Sequence, residues 1–201
     1  MIIDSIEKLR ALYPSAKQRA IKKQLTHLEQ HSHQFIKLSP FVVLSTVDSS
    51  GQVDASPRGG SPGFVKVLSP TQILIPDARG NNRLDSISNI IETGQVGTLF
   101  MIPGVDETLR INGRATVSTS ADLLSLFHAD DKRIISVIDI QIESVFLHCA
   151  KAFMRSKLWS SEAQIERGEL PSMGQMLNDQ MQVEDEPESQ ADMVARYQAD
   201  I

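Results

Sequence analysis

The stretch Pro76-Asp77-Ala78-Arg79-Gly80-Asn81-Asn82-Arg83 concentrates anion-binding chemistry in one loop. Two arginines flank a glycine able to take positive φ and two asparagine amides. Before the loop lies the apolar run Ile73-Leu74-Ile75; after it, Leu84, Ile87, Ile90 and Ile91 recur at helical spacing. A strand-to-helix loop of this kind aims backbone N–H groups and guanidinium forks at one point, and the helix dipole adds partial positive charge there. A phosphate is the guest such a loop suits.

Further cations and amides fall on neighbouring elements. Arg58 follows a strand, Arg110 and Asn112 lie on the polar face of another, and Lys151 and Arg155 sit four apart after the last strand. Taken singly, each reads better as a surface charge. Signatures of other chemistries are missing: there is no GxxxxGK[ST], GxGxxG, GxSxG or HExxH. No dedicated acid, base or nucleophile stands out, so no catalytic side chain is assigned. The single cysteine, Cys149, lies among Leu147, Ala150 and Phe153 and reads as a small buried hydrophobe. His27 and His31 are spaced for a metal, but Lys, Gln, Glu and Ser surround them, so they read as a solvated helix end and no metal is expected.

The elements that position these residues can be read in order. Residues 5–36 are helical in pattern, interrupted at Pro14, with Ser15 a candidate cap for the second helix. Phe41 to Val47 and Gln52 to Ser56 form a hairpin around Asp48-Ser49-Ser50-Gly51. Pro57-Arg58-Gly59-Gly60-Ser61-Pro62-Gly63 is too rich in Gly and Pro for regular structure. Strands follow at Phe64–Leu68 and Gln72–Ile75, then a helix with Asn82 as its cap, Asp85 as capping-box acid and Gly94 as its end. Val96–Ile102, the cleanly alternating Glu107–Val117 and Arg133–His148 complete the strands, with a short helix at Ala121–His128. Cys149–Trp159 is helical. Ser172 and Gln175 form a capping box ahead of Met173, Met176, Leu177 and Met181, and Met193, Val194 and Tyr197 pin a final helix beyond an acidic linker. This order lacks the βαβ rhythm of a doubly wound sheet and predicts a mainly β, antiparallel barrel or sandwich with peripheral helices.

Composition bounds the partners. The 201 residues carry net charge −5 and only 5% aromatics, which disfavours nucleic acid and anionic membrane surfaces. No apolar run approaches the ~20 residues of a membrane span. One cysteine precludes an intrachain disulfide, and Met1-Ile2-Ile3-Asp4 lacks the features of a secretory signal, so a cytoplasmic protein is expected.

Taken together, Phe41–Ser56, Ser56-Pro57-Arg58-Gly59, Leu74-Ile75-Pro76-Asp77, Gly80-Asn81-Asn82-Arg83-Leu84-Asp85, Glu107–Ala115 and His148–Ala152 with Arg155–Trp159 resemble the FMN-binding split-barrel family of pyridoxamine 5′-phosphate oxidase. The resemblance covers about Pro40 to Trp159; the flanking segments are similar to an uncharacterised bacterial subgroup. It implies a six-stranded antiparallel split β-barrel with N- and C-terminal helices, organised as an N-terminal helical segment (1–38), a barrel (39–159) and a C-terminal helical extension (160–201). It further implies a homodimer with FMN at the subunit interface. Asn82 and Arg83 would hold the FMN phosphate, assisted by Arg79, with Asp77 and Asn81 in the same loop. Ser56 and Arg58 would line the isoalloxazine edge, with Arg58, or else Arg110, as the cation beside N1 and the C2 carbonyl. Arg110 and Asn112 would reach across from the partner, and Lys151, Arg155 and Trp159 would close the site. The implied function is an FMN-dependent oxidoreductase acting on a small molecule, with NADH or NADPH as candidate reductant. The alternative is a non-catalytic protein that binds or stores flavin, or holds haem or a deazaflavin. Gly60 stands where close relatives carry an acid, and the oxidase's C-terminal arginine and histidine pattern is not evident, so pyridoxamine 5′-phosphate is not the expected substrate.

Overall fold

Seven strands build the sheet: β1 (Phe41–Val47), β2 (Val53–Gly59), β3 (Lys66–Ser69), β4 (Gln72–Ala78), β5 (Gln95–Ile102), β6 (Val105–Ser118) and β7 (Ile134–His148). The computed structural model describes residues 2–128, 131 and 133–198. All pairings are antiparallel, in the order β2-β1-β5-β6-β7-β4-β3. The sheet thus has one strand beyond the six expected, and its ends, β2 and β3, are not paired to each other. It is an open, split-barrel sheet in a β+α fold.

Period-2 burial places the core. Val42 and Leu44 on β1, Val96 and Phe100 on β5, Leu109, Ile111 and Ala115 on β6, and Ile138, Ile140 and Ile142 on β7 are buried in one cluster. The run Ile73-Leu74-Ile75 shows no alternation because β4 is covered on both faces. Ile73 and Ile75 join the main cluster, while Leu74 packs with Phe127, Ile134 and Val137 in a second. Gly113 marks a register shift between β6 and β7, and a Cβ there would lie 2.0 Å from the Gln141 carbonyl oxygen.

The helices are α1 (Ile6–Leu12), α2 (Gln18–Lys22), α3 (Gln30–Leu38), α4 (Asp85–Thr93), α5 (Ala121–His128), α6 (Lys151–Ser156), α7 (Met173–Met181) and α8 (Gln190–Gln198). Several local expectations are corrected. The second N-terminal helix does not run through Leu25, because the Leu25 backbone pairs with Val145 on β7 (3.0 and 2.7 Å). Lys17, not Ser15, precedes α2, and its side chain makes no capping bond. β2 extends through Pro57 to Gly59, where no regular structure was expected. Proline is tolerated because β2 is an edge strand and needs no ladder bond on its open side. Gly94 ends α4 with φ 68°, as its sequence position predicts.

By contact density the chain divides at Trp159/Ser160. In the second unit the Ser172 hydroxyl caps α7 by accepting from Gln175 N at 3.1 Å, and Met193 of α8 is buried. Gly174 lets the chain at Glu188 approach closely, since a Cβ would meet the Glu188 oxygen at 2.4 Å.

Candidate functional site

The β1–β2 register sets Asp54, Ser56 and Arg58 opposite Thr46, Leu44 and Val42, on the core-facing side of the sheet. Helix α4 covers this edge, tied to β1 by Asn89 Nδ2 donating to Thr46 Oγ1 (2.9 Å) and Thr93 Oγ1 donating to the Val47 carbonyl (2.8 Å). Between strand and helix opens a pocket of about 250 Å³. It is lined by Asp54, Ser56, Arg58 and Asp77 together with residues of the 78–87 loop and helix start.

Its polar groups are organised in two networks. Arg58 pairs with Asp77, which is only 6% exposed, and the buried Arg58 Nε has no partner. Ser86 donates to Asp54 Oδ2 at 2.6 Å, and its oxygen lies 2.9 Å from Ser56 Oγ. Since Ser86 has one hydroxyl proton and gives it to a carboxylate, Ser56 is the donor to Ser86.

Asn81, Asn82 and Arg83 line the same pocket; Arg79 is exposed and does not. Asn82 is not the helix cap. Leu84 takes that position with φ 59°, no side chain caps α4, and Asn82 adopts φ 59° in the preceding turn. Asp85 is not a capping-box acid either: Arg83 Nε donates to its Oδ2 at 2.9 Å. That hydrogen bond, with the charges of Asp85 and then Asp54, holds the Arg83 guanidinium further toward its charged form.

Arg110 and Asn112 lie on the opposite, outer face of the sheet, since Leu109 and Ile111 point into the core. Asn112 borders a trough of about 560 Å³ floored by Ser45, Gly97 and Gly113 and edged by Arg114 and Glu143. Gly97 sits between Ser45 and Asn112 in the ladder, so small side chains across adjacent strands make the depression. The buried Arg110 Nε also lacks a partner. Lys151 and Arg155 are exposed on α6, while Trp159 stacks on Phe153 (5.5 Å) and donates to the Val105 carbonyl at 3.0 Å. Within one chain, therefore, the expected residues fall into three places: the α4 pocket, the outer trough and the α6 segment.

Cys149 corrects its expectation: it is exposed. The Lys151 backbone N–H hydrogen-bonds its sulfur and, with the Lys151 charge, lowers the thiol pKa against a smaller opposing effect of burial. His27 and His31 are exposed. Sequence reasoning missed Asp54 and Ser86. Period 2 from Arg58 through Ser56 would have found the first, and the first turn of α4 the second. It also missed Lys23, whose Nζ donates to the carbonyl of Leu147 at 2.7 Å; no local signal spans that separation.

The fold has relatives among solved structures. HupZ of Group A Streptococcus is 16% identical and superposes with TM-score 0.51 over 60% of this chain and 93% of its own. A pyridoxamine 5′-phosphate oxidase candidate from Lactobacillus delbrueckii is 22% identical, with TM-score 0.49 over 62% of this chain and 98% of its own. No curated protein matches the sequence significantly. The family model for pyridoxamine 5′-phosphate oxidase matches residues 28–149, more than half of the chain and all seven strands. The chain belongs to the pyridoxamine 5′-phosphate oxidase family.

Proposed function

We propose that this protein binds FMN and is an FMN-dependent oxidoreductase acting on a small molecule. The observation that carries the reading is the α4 pocket. Arg83, Asn81 and Asn82 stand there beside an uncapped helix N-terminus, with a buried Arg58 Nε still lacking a partner. This donor set fits a phosphate at the helix start and a polar heterocycle edge beside Arg58. Arg83 and the two amides would hold the phosphate. Asp85 releases Arg83 at little cost, because an exposed pair contributes about 0–1 kcal/mol. Asp77 fixes the orientation of Arg58 and offsets part of its charge. The bound flavin would supply hydride or electron transfer.

The functional unit in this reading is a homodimer, in which Arg110, Asn112, Lys151, Arg155 and Trp159 complete the partner's site. Support comes from their position away from the α4 pocket and from the outer trough, whose volume suits a small-molecule site. NADH or NADPH is the proposed reductant, and the cytoplasm the proposed compartment. No helix among the described residues is long and apolar enough to cross a membrane.

The test is cofactor content. Purified protein should be yellow and release FMN on denaturation, and a colourless protein that takes up no added FMN refutes the reading. Arg83→Ala should weaken FMN binding by roughly twofold to a hundredfold, since a charge-assisted contact contributes about 1.5–3 kcal/mol less the roughly 0–1 kcal/mol cost of breaking the exposed Asp85 pair. Asp85→Asn, which frees Arg83, should tighten it. Flavin that is retained but neither reduced by a nicotinamide nucleotide nor turned over with any acceptor would instead identify a flavin-binding protein without catalysis.

A further inference from the structure

A second concentration of positive charge lies on the outer face, around the ring of Phe146. The β6–β7 register sets Arg110 opposite Phe146, with its guanidinium carbon 5.0 Å from the ring centroid. Lys23 arrives from the N-terminal segment, outside the stretch that matches the family. The Leu25–Val145 bridge carries it to β7, where its Nζ lies 4.1 Å from the same centroid. His148 meets the ring edge-on at 4.9 Å.

Among the described residues no carboxylate pairs with Lys23 or Arg110, whereas Arg58, Arg83, Arg114 and Arg196 each have one. The buried Arg110 Nε has no partner. Burial, then the charges of Arg110 and Lys23, depress the His148 pKa and keep its imidazole neutral near pH 7, with an N–H to donate. Two cations without a carboxylate partner, drawn to one ring in a chain of net charge −5, repel each other, and an anion would relieve that repulsion although Lys23 already donates to the Leu147 carbonyl. A guanidinium fork, an ammonium and a neutral imidazole are together a donor set for a carboxylate or a phosphate. Asn112, at the edge of the outer trough, is two residues from Arg110 on the same face, about 7 Å along the strand.

We propose that Lys23, Arg110 and His148 form an anion subsite that holds the carboxylate or phosphate of a molecule whose body lies in the outer trough. Calling that molecule the substrate rests on the flavin reading; binding of the anion does not.

The test follows the His148 ring by NMR in the full-length protein, with the signal assigned through His148→Gln. Inorganic phosphate and acetate are titrated separately at constant ionic strength set with chloride. Saturation by phosphate alone identifies a phosphate seat, and by acetate alone a carboxylate seat. Either should raise the His148 titration midpoint, because a bound anion favours the imidazolium. Lys23→Ala and Arg110→Ala should each weaken binding at least fivefold, while the charge-retaining Lys23→Arg and Arg110→Lys keep it. No saturable shift with either probe overturns the proposal, as does unchanged binding in both alanine variants. Flavin absorbance is read on the same samples. Loss of flavin in Arg83→Ala with the phosphate titration intact separates the two sites. A His148 response in protein that never takes up flavin would uphold the subsite and refute the flavin reading.

Discussion

Replacing Asp77 with Asn tests the physical core of the α4 pocket. Asp77 is 6% exposed and its carboxylate is the countercharge of Arg58, whose side chain is 22% exposed and whose Nε has no partner. The substitution keeps shape and one acceptor but removes the charge, leaving a largely buried guanidinium uncompensated. Removing one member of a buried pair costs about 3–5 kcal/mol. The retained amide acceptor and the residual exposure of Arg58 bring the expectation to about 2–3 kcal/mol. For a chain of this length each kcal/mol moves Tm by roughly 2–4 °C, so a fall of about 5–10 °C is expected. The assay is thermal and urea unfolding of flavin-free protein, because bound ligand would add its own stabilisation. A double-mutant cycle with Arg58→Met isolates the pair. If Asp77→Asn leaves stability unchanged, or the two substitutions add without coupling, the pair is not the organising contact described. Binding should move the opposite way: with one carboxylate fewer beside Arg58 and Arg83, affinity for an anionic ligand should rise.

Gly113→Ala should prevent the β6–β7 pairing, since its Cβ would lie 2.0 Å from a backbone oxygen. Loss of the folded protein, or a Tm fall of at least about 6–12 °C from a cost above about 3 kcal/mol, is expected by circular dichroism. His148 makes stability pH-dependent with a defined sign. Its folded-state pKa lies below the ordinary value of about 6.5, so above that pH the term is fully present. As pH falls below about 6.5 the unfolded chain gains a proton that the folded chain refuses until its lower pKa, and stability drops. His148→Gln should flatten that part of the stability–pH curve. Cys149 should react stoichiometrically with a disulfide reagent in the native protein, because it is exposed and its thiol pKa is lowered. Resistance until unfolding would contradict its placement.

Local patterns determined the elements of this protein. Period 2 in Glu107–Val117 marks β6, Gly94 marks the end of α4, and Ser172 with Gln175 marks the start of α7, because each depends on neighbours within one turn or one strand. The same locality made the 76–83 loop legible as a candidate seat for an anion. Only the assembled sheet decided which charges meet. Asp77 neutralises Arg58 from a strand on the far side of the sheet order, Leu25 leaves its helix to pair with Val145, and Cys149 is exposed despite apolar neighbours. Pro57 sits in a strand because that strand is an edge. These outcomes follow from contacts between residues far apart in the chain. A side chain's partners and exposure are set there by the other elements, and no spacing along the sequence encodes them.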